Sequence, residues 1–174
     1  MKQAAFRMVM LVVVASSGFA AAQGALFRES AVTGGRLHPV GDSFNVGASI
    51  ETYKLWAPPP PQVPPFSEWN RYQQSINGPS LIWNSGSFLC LARTIDFIGA
   101  FLVQKVCDIN DSTQRWDFTS RLVGGVTKSV ITQWGTNNCL FSPDMTPFQG
   151  TATPSMQGCA PQTVTADAFL WTPI

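Results

Sequence analysis

The chain has 174 residues, a length typical of one compact domain. Its 11 Lys and Arg residues nearly balance its 10 Asp and Glu residues, and only 12% of the residues are charged. No basic stripe is present to contact phosphates, so the composition argues against direct nucleic-acid binding.

The N-terminal segment has the organisation of a secretory signal peptide. Lys2 and Arg7 provide a positive start, and residues 8–15 form a short apolar run that ends before a cluster of alanines, Ala20 to Ala22. Small residues of this kind are typical of a cleavage site. The run is well short of the roughly 20 apolar residues that cross a bilayer. We therefore predict a signal peptide at 1–22 and a secreted protein.

The mature chain, 23–174, is predicted to be all-β and to form a single domain. Gly, Pro, Ser, Thr and Asn interrupt its apolar runs after a few residues, which leaves little room for helices. Many short strands separated by turn residues are typical of a sandwich or a barrel. The clearest candidate strands are 80–83, 101–106, 126–131 and 168–171.

Three segments of the chain resemble one another. Each has a strand, a glycine-containing turn, a leucine that opens the next strand, and a tryptophan that closes the unit. The opening leucines are Leu37, Leu91 and Leu140, and the closing tryptophans are Trp56, Trp116 and Trp171. One such unit cannot bury its apolar face alone, whereas three around a pseudo-threefold axis close a barrel. The tryptophans are expected in the core, where an indole buries a large area and its N–H finds a carbonyl.

The four cysteines are predicted to form two disulfides, because an even number in an exported chain favours pairing. Three connectivities are possible. Cys90 and Cys139 occupy equivalent places before the opening leucines of repeats two and three, and each has a cysteine downstream. The repeat therefore favours Cys90–Cys107 and Cys139–Cys159, one loop per repeat.

A proline-rich segment at 57–65 is expected between repeats one and two. Its prolines favour extended polyproline II, so the segment is interpreted as a stiff connector over the barrel. The alternative is a recognition arm that carries exposed aromatic residues.

An aromatic patch after this connector is the candidate binding site. It comprises Phe66, Trp69, Tyr72 and Trp83, with Phe88 nearby. Trp69 and Tyr72 have polar neighbours and are expected to be the exposed members. Exposed Trp and Tyr clusters commonly mark interaction surfaces. The hypothesis is that this patch contacts a host-cell glycan, a lipid or another subunit.

Several runs carry a resemblance to known families. Gln114-Arg115-Trp116 is the QxW signature of ricin-B-type β-trefoil lectins. Four further runs, taken in order, resemble the A/C-type subunits of cytolethal distending toxins: 88–92 (FLCLA), 99–107 (GAFLVQKVC), 125–130 (GVTKSV) and 138–140 (NCL).

The resemblance implies a β-trefoil subunit that binds host cells and delivers a nuclease subunit. In that family a DNase-I-like nuclease subunit assembles with two ricin-like subunits, which contact the host cell. The C-type subunit is favoured over the A-type, which usually carries a lipoprotein cysteine. The alternative is a stand-alone ricin-B-type carbohydrate-binding lectin. Its sugar pockets need an acidic residue after the Cys-Leu strand, where this chain has Ala92 and Phe141. Gln114 is expected to cap a turn by hydrogen bonding.

The sequence offers no candidate catalytic residues, metal ligands or cofactor motif. His38 is the only histidine and lies far from the cysteines, and no CxxC pair is present to bind zinc. No nucleophile elbow, phosphate loop or HExxH motif occurs. We therefore expect a protein that is not an enzyme. A trefoil protease inhibitor is a further alternative, but nothing besides the proline-rich segment suggests a rigid reactive loop.

Overall fold

The computed structural model describes residues 26–28, 35–53, 68–75, 77–143 and 151–173. Within these residues the secondary structure is thirteen short strands and three 3₁₀ turns. In the first repeat the strands are β1 (Leu26–Arg28), β2 (Arg36–Pro39), β3 (Ile50–Tyr53) and β4 (Trp69–Gln73). In the second they are β5 (Ser80–Asn84), β6 (Cys90–Arg93), β7 (Leu102–Lys105) and β8 (Trp116–Val123). In the third they are β9 (Val126–Gln133), β10 (Asn138–Phe141), β11 (Thr151–Ala152), β12 (Ser155–Gly158) and β13 (Leu170–Pro173). The 3₁₀ turns are Val40–Asp42, Ser112–Gln114 and Asp167–Phe169.

Six of the strands follow one another round a barrel wall. The sheet runs β1-β13-β9-β8-β5, and β4 pairs with β5. The first strand of each repeat therefore lies beside the last strand of a repeat, as in β8–β9, whose register spans Trp116↔Gln133 to Val123↔Val126. The predictions of an all-β chain with three pseudo-repeats are confirmed.

Each repeat contains a hairpin with the same register, β2–β3, β6–β7 and β10–β12. The opening leucines face Thr52, Gln104 and Met156 in β2–β3, β6–β7 and β10–β12. The three hairpins also bond to one another in a ring, through Ser49↔Val103, Phe101↔Ser155 and Ala152↔Thr52.

Glycines permit two of these ring contacts. Gly47 (φ 86°) donates its N–H to the Gln104 carbonyl, and Gly99 (φ 87°) donates to the Met156 carbonyl, both at 2.7 Å. A left-handed backbone is costly for residues with a side chain, so glycine is required at both turns. The hairpins thus cap one end of the barrel as a threefold unit.

Two of the closing tryptophans, Trp116 and Trp171, are fully buried and make one repeated hydrogen bond. Trp116 Nε1 donates to the Leu91 carbonyl at 3.0 Å, and Trp171 Nε1 donates to the Leu140 carbonyl at 3.3 Å. Their predicted core position is confirmed. In the first repeat the indole bonded to Leu37, at 2.9 Å, is that of Trp69.

This contact corrects two sequence predictions. Trp69 was expected to be exposed, and it is instead completely buried. It closes the first repeat, the role that the alignment of the three internal segments predicted for Trp56. The proline-rich segment 57–65 consequently falls inside the first repeat and not between repeats one and two. That segment, Trp56 and Phe66 lie outside the described residues.

Both predicted disulfides are present, Cys90–Cys107 and Cys139–Cys159. The main core combines the three indoles and the three opening leucines with neighbours such as Ile82 and Met156. Of the residues that the structure describes, none belongs to a helix long and apolar enough to cross a membrane.

Candidate functional site

The outer face of the β4–β5 pair carries two of the predicted aromatic residues. Asn70 faces Trp83 and Tyr72 faces Leu81 across the pair. Successive residues of a strand alternate between faces, so Tyr72 and Trp83 lie diagonally on one face while Trp69 points into the core. Tyr72 and Trp83 are half-buried.

Phe88 extends this surface. Its side chain is 74% exposed, and its ring stacks on Trp83 with centroids 6.3 Å apart and an interplanar angle of 12°. We call Tyr72, Trp83 and Phe88 the outer aromatic face. The sequence analysis placed Phe88 near the predicted patch but did not include it.

The backbone of Phe88 adopts a conformation that is unusual for a large residue. Its φ is 58°, in the left-handed region. The preceding turn is held by Asn84, whose Oδ1 accepts the N–H groups of Gly86 and Ser87 at 2.9 and 3.0 Å. A non-glycine residue in this region costs on the order of 1–3 kcal/mol. The turn therefore holds an exposed aromatic ring at a cost that a glycine would avoid.

The two residues that follow the Cys90-Leu91 pair of repeat two are packed inside the protein. Ala92 and Arg93 are both completely buried. One Arg93 Nη2 donates to Asp96 Oδ1 at 2.7 Å and to the Ser112 carbonyl, and the guanidinium lies 5.4 Å from the Trp116 ring centroid. Burial lowers the pKa of Arg93, and the nearby carboxylates of Asp96 and Asp111 oppose that shift.

The loop before β8 is held together by Asp111. Its carboxylate accepts hydrogen bonds from Lys105 Nζ (3.1 Å), Gln114 Nε2 (3.2 Å), and the Thr113 backbone N–H (2.9 Å) and hydroxyl (2.6 Å). Partial burial alone would raise the pKa of Asp111, but these donors outweigh it and hold the pKa well below its usual range.

Gln114 of the QxW triplet has the predicted structural role. It is buried, its Nε2 donates to the Val106 carbonyl at 2.8 Å, and its Oε1 accepts the Asp108 N–H at 3.1 Å. Lys105 and Asp111 are paired in the same loop, so the polar side chains of this loop bind one another. This arrangement stabilises the turn that leads into Trp116.

Sequence reasoning missed the exposed apolar residues of two hairpin loops. Phe44 and Val46 follow β2, and Phe97, Ile98 and Phe101 precede β7; each is more than half exposed. These residues lie in irregular loops between turns, where no strand period distinguishes an outward from an inward side chain. Among the described residues, no group of three His, Cys, Asp or Glu side chains could hold a metal ion.

The comparisons with known proteins identify relatives by structure. No family model matches the sequence, and no curated protein matches it. The chain is similar to the crystal structure of cytolethal distending toxin from Actinobacillus actinomycetemcomitans, at 10% identity over 87% of this chain and 90% of that one, with a TM-score of 0.62. It is similar to the Haemophilus ducreyi toxin at 10% identity, over 97% and 88% of the two chains, with a TM-score of 0.63. It is also similar to the C-half of an earthworm R-type lectin solved with GalNAc, at 13% identity, over 87% and 97%, with a TM-score of 0.57. These likenesses, with the threefold hairpins and indoles, establish that the chain has the β-trefoil fold.

Proposed function

We propose that this chain is a non-catalytic cell-binding and delivery subunit of a tripartite cytolethal distending toxin. It would assemble with a DNase-I-like nuclease subunit and a second ricin-like subunit, and the nuclease would carry the catalytic activity. The C-type subunit is favoured over the A-type. The observation that carries the proposal is the coincidence of two independent likenesses, the four toxin-like sequence runs and a fold shared with two toxin crystal structures.

The positions of those runs support this proposal. Residues 88–92 comprise the exposed Phe88 and most of β6, and 99–107 comprise β7 and end at Cys107. Residues 125–130 begin β9, and 138–140 form most of β10. The runs therefore include surface positions as well as buried ones, and a shared fold alone does not require an exposed phenylalanine on a turn.

Export fits the same proposal. A predicted signal peptide and two disulfides are the features of a chain that folds in an oxidising compartment. The host-cell ligand is proposed to be a surface glycan or lipid, and the outer aromatic face is the proposed contact. Aromatic rings at an exposed site supply apolar contact area at a low cost in side-chain entropy.

Replacement of Phe88 by Gly tests the outer aromatic face. Glycine relieves the left-handed backbone while the stacking on Trp83 is lost, so the free energy of unfolding should stay the same or rise. Binding of the assembled toxin to host cells, measured by flow cytometry, should fall at least fivefold, and Tyr72→Ala should act in the same direction. Phe101→Ala, an exposed ring on a hairpin loop, is the matched control. Full binding by Phe88→Gly with normal stability removes the face from the proposed contact.

Assembly is tested by co-expression. The mature chain should co-purify as a stoichiometric complex with the products of neighbouring DNase-I-like and ricin-like reading frames. An isolated chain that ignores both partners but is retained on immobilised galactose would instead establish the stand-alone lectin, the alternative function.

A further inference from the structure

A cleft of about 510 Å³ lies beside the β4–β5 turn, and no residue of the outer aromatic face lines it. One wall is the β4–β5 turn, with Gln74, Ser75 and Pro79, and the other is formed by Asn110 and Arg115 together with Trp134 of the β9–β10 turn. Its volume is within the range of small-molecule sites, about 300–1,000 Å³. The repeat-two position filled by Arg93 is not among its lining residues.

Two residues of this cleft are specific to one repeat. The Trp134 N–H donates to the Arg115 carbonyl at 3.1 Å, and the equivalent contact in the preceding repeat joins the Ser85 N–H to the Glu68 carbonyl at 2.9 Å. Arg115 and Glu68 each directly precede a closing tryptophan. The fold therefore accepts a small residue and a carboxylate at these places, so an indole beside a guanidinium is not required for folding.

The Arg115 guanidinium is oriented before any ligand arrives. Its Nε donates to the Ile109 carbonyl at 2.8 Å, and one Nη2 donates to the Asn110 carbonyl at 3.2 Å. Among the described residues no carboxylate lies within ion-pair distance of it, and none lines the cleft. The two backbone carbonyls fix the orientation of the planar Arg115 guanidinium. The N–H donors of its Nη1 remain available to an anion.

The remaining lining supplies the other contacts of a sugar site. Trp134 is half-buried, so one part of the indole is open to the cleft. Gln74 and Asn110 offer amides and Ser75 offers a hydroxyl, groups that both donate to and accept from hydroxyls. An aromatic ring, a few amides and an arginine that has no carboxylate partner among the described residues match a pyranose that bears a carboxylate, because the charge-assisted bond to arginine is the strongest of these contacts.

We propose that this cleft is a binding site for a carboxylate-bearing saccharide. Trp134 contacts the apolar face of the ring, Arg115 binds the carboxylate, and Gln74, Ser75 and Asn110 bind hydroxyls. The site adds a second glycan contact, separate from the outer aromatic face, to the cell-binding role proposed above, and it rests on that proposed role. Binding at this site needs only the isolated chain, without the other toxin subunits.

The test is calorimetric titration of the isolated mature chain with three probes. Sialyllactose and a glucuronate-bearing disaccharide carry a carboxylate, and lactose is the neutral control. At least one acidic probe should bind at least tenfold more tightly than lactose, and its affinity should weaken with added salt. Lactose binding as tight as the best acidic probe, or binding of neither acidic probe, overturns the proposal.

Two variants take their new residue types from the equivalent contact in the preceding repeat, so we expect them to preserve the fold. Trp134→Ser and Arg115→Glu introduce the residue types of Ser85 and Glu68, and each should weaken the acidic probe at least tenfold. Phe101→Ala, an exposed ring on a hairpin loop that does not line the cleft, should leave it unchanged. Equal loss in all three variants, or in none, contradicts the assignment. Because the titration needs no partner, its failure is distinguishable from failure of toxin assembly.

Discussion

Three tryptophan side chains make the same hydrogen bond at equivalent places in the three repeats. Trp69, Trp116 and Trp171 are fully buried, and each Nε1 donates to the carbonyl of an opening leucine at 2.9–3.3 Å. The bond ties the last strand of a repeat to its second strand. It also satisfies a carbonyl that lies away from water, and such a group is costly to leave unpaired.

Trp69→Phe tests whether this indole closes the first repeat. Phenylalanine retains much of the apolar area but leaves the Leu37 carbonyl without its donor, so the free energy of unfolding should fall by about 2–4 kcal/mol. Trp116→Phe should show a loss of the same size. Trp83→Phe, on the outer aromatic face, should cost less than about 1 kcal/mol. Urea denaturation measures all three; a loss for Trp69→Phe no larger than that of the control would contradict the role.

The residues that the sequence placed correctly are those whose spacing repeats. Trp116 and Trp171 follow a Cys-Leu strand and its second cysteine, so their core position was predictable. Trp69 was not, because polar neighbours on both sides suggested a solvent-exposed strand. Those neighbours occupy the alternate face of β4, and local polarity does not show which face of a strand is inward.

Asp111 makes the free energy of unfolding depend on pH. Its pKa is held below the usual value, so the carboxylate stabilises the folded state above the unfolded pKa of about 3.9, and this stabilisation is lost as the pH falls below that value. Asp111→Asn should therefore cost about 1–3 kcal/mol at pH 6, and the difference from the wild type should shrink below pH 4. Asp108→Asn is the matched control, since that exposed carboxylate accepts one backbone N–H, from Asn110 at 2.8 Å. A deficit for Asp111→Asn that is constant from pH 6 to pH 2.5 would contradict this account.

At the scale of elements, each disulfide closes one hairpin region within a repeat. Cys90–Cys107 spans 17 residues and Cys139–Cys159 spans 20. The pairing was predictable from the sequence because both bridges begin at the residue before an opening leucine. The described strands of the first repeat have no such bridge, and its hairpin β2–β3 depends on strand pairing and on the ring contacts.

Removal of either bridge should destabilise the protein. The loop-entropy model gives about 3 kcal/mol for loops of this size, so the double variants Cys90→Ala/Cys107→Ala and Cys139→Ala/Cys159→Ala should each lower the free energy of unfolding by about that much. The second should lose more, because Cys139 also packs on Val130 and Leu170. Urea midpoints with and without reductant provide the measurement. Reduction of either double variant should still lower its midpoint, because one bridge remains; a midpoint that reductant leaves unchanged would contradict the assignment.

Elements that the sequence did not predict are those that depend on distant contacts. Residues 94–99 form an exposed loop with Phe97 and Ile98, and the Ile98 side chain approaches Gly158 of β12. The cleft beside Trp134 unites turns from all three repeats. Neither arrangement has a local signal, because each is created when separate repeats meet round the barrel.

At the scale of the whole molecule, the repeats are joined too closely to fold one at a time. The hairpins bond in a ring, and three barrel-strand pairings, β1–β13, β9–β8 and β5–β4, join neighbouring repeats, so that no described repeat has a complete core of its own. The opening leucines and indoles of all three repeats belong to one apolar cluster. This arrangement differs from a linear repeat array, in which end units can fray independently.

Unfolding should therefore be a single cooperative transition, even for a variant damaged in one repeat. In Trp69→Phe the lesion lies in the first repeat, which has no disulfide among its described strands, and that repeat would melt first if the units were independent. Instead, far-UV circular dichroism and the fluorescence of the remaining tryptophans should report the same urea midpoint, because loss of one repeat removes the partners of the other two. Hydrogen exchange gives a second test: the amides of β2 and of β9 should be protected by similar free energies. An early phase confined to β2, β3 and β4 would show that the first repeat is a separable unit attached to a two-repeat core.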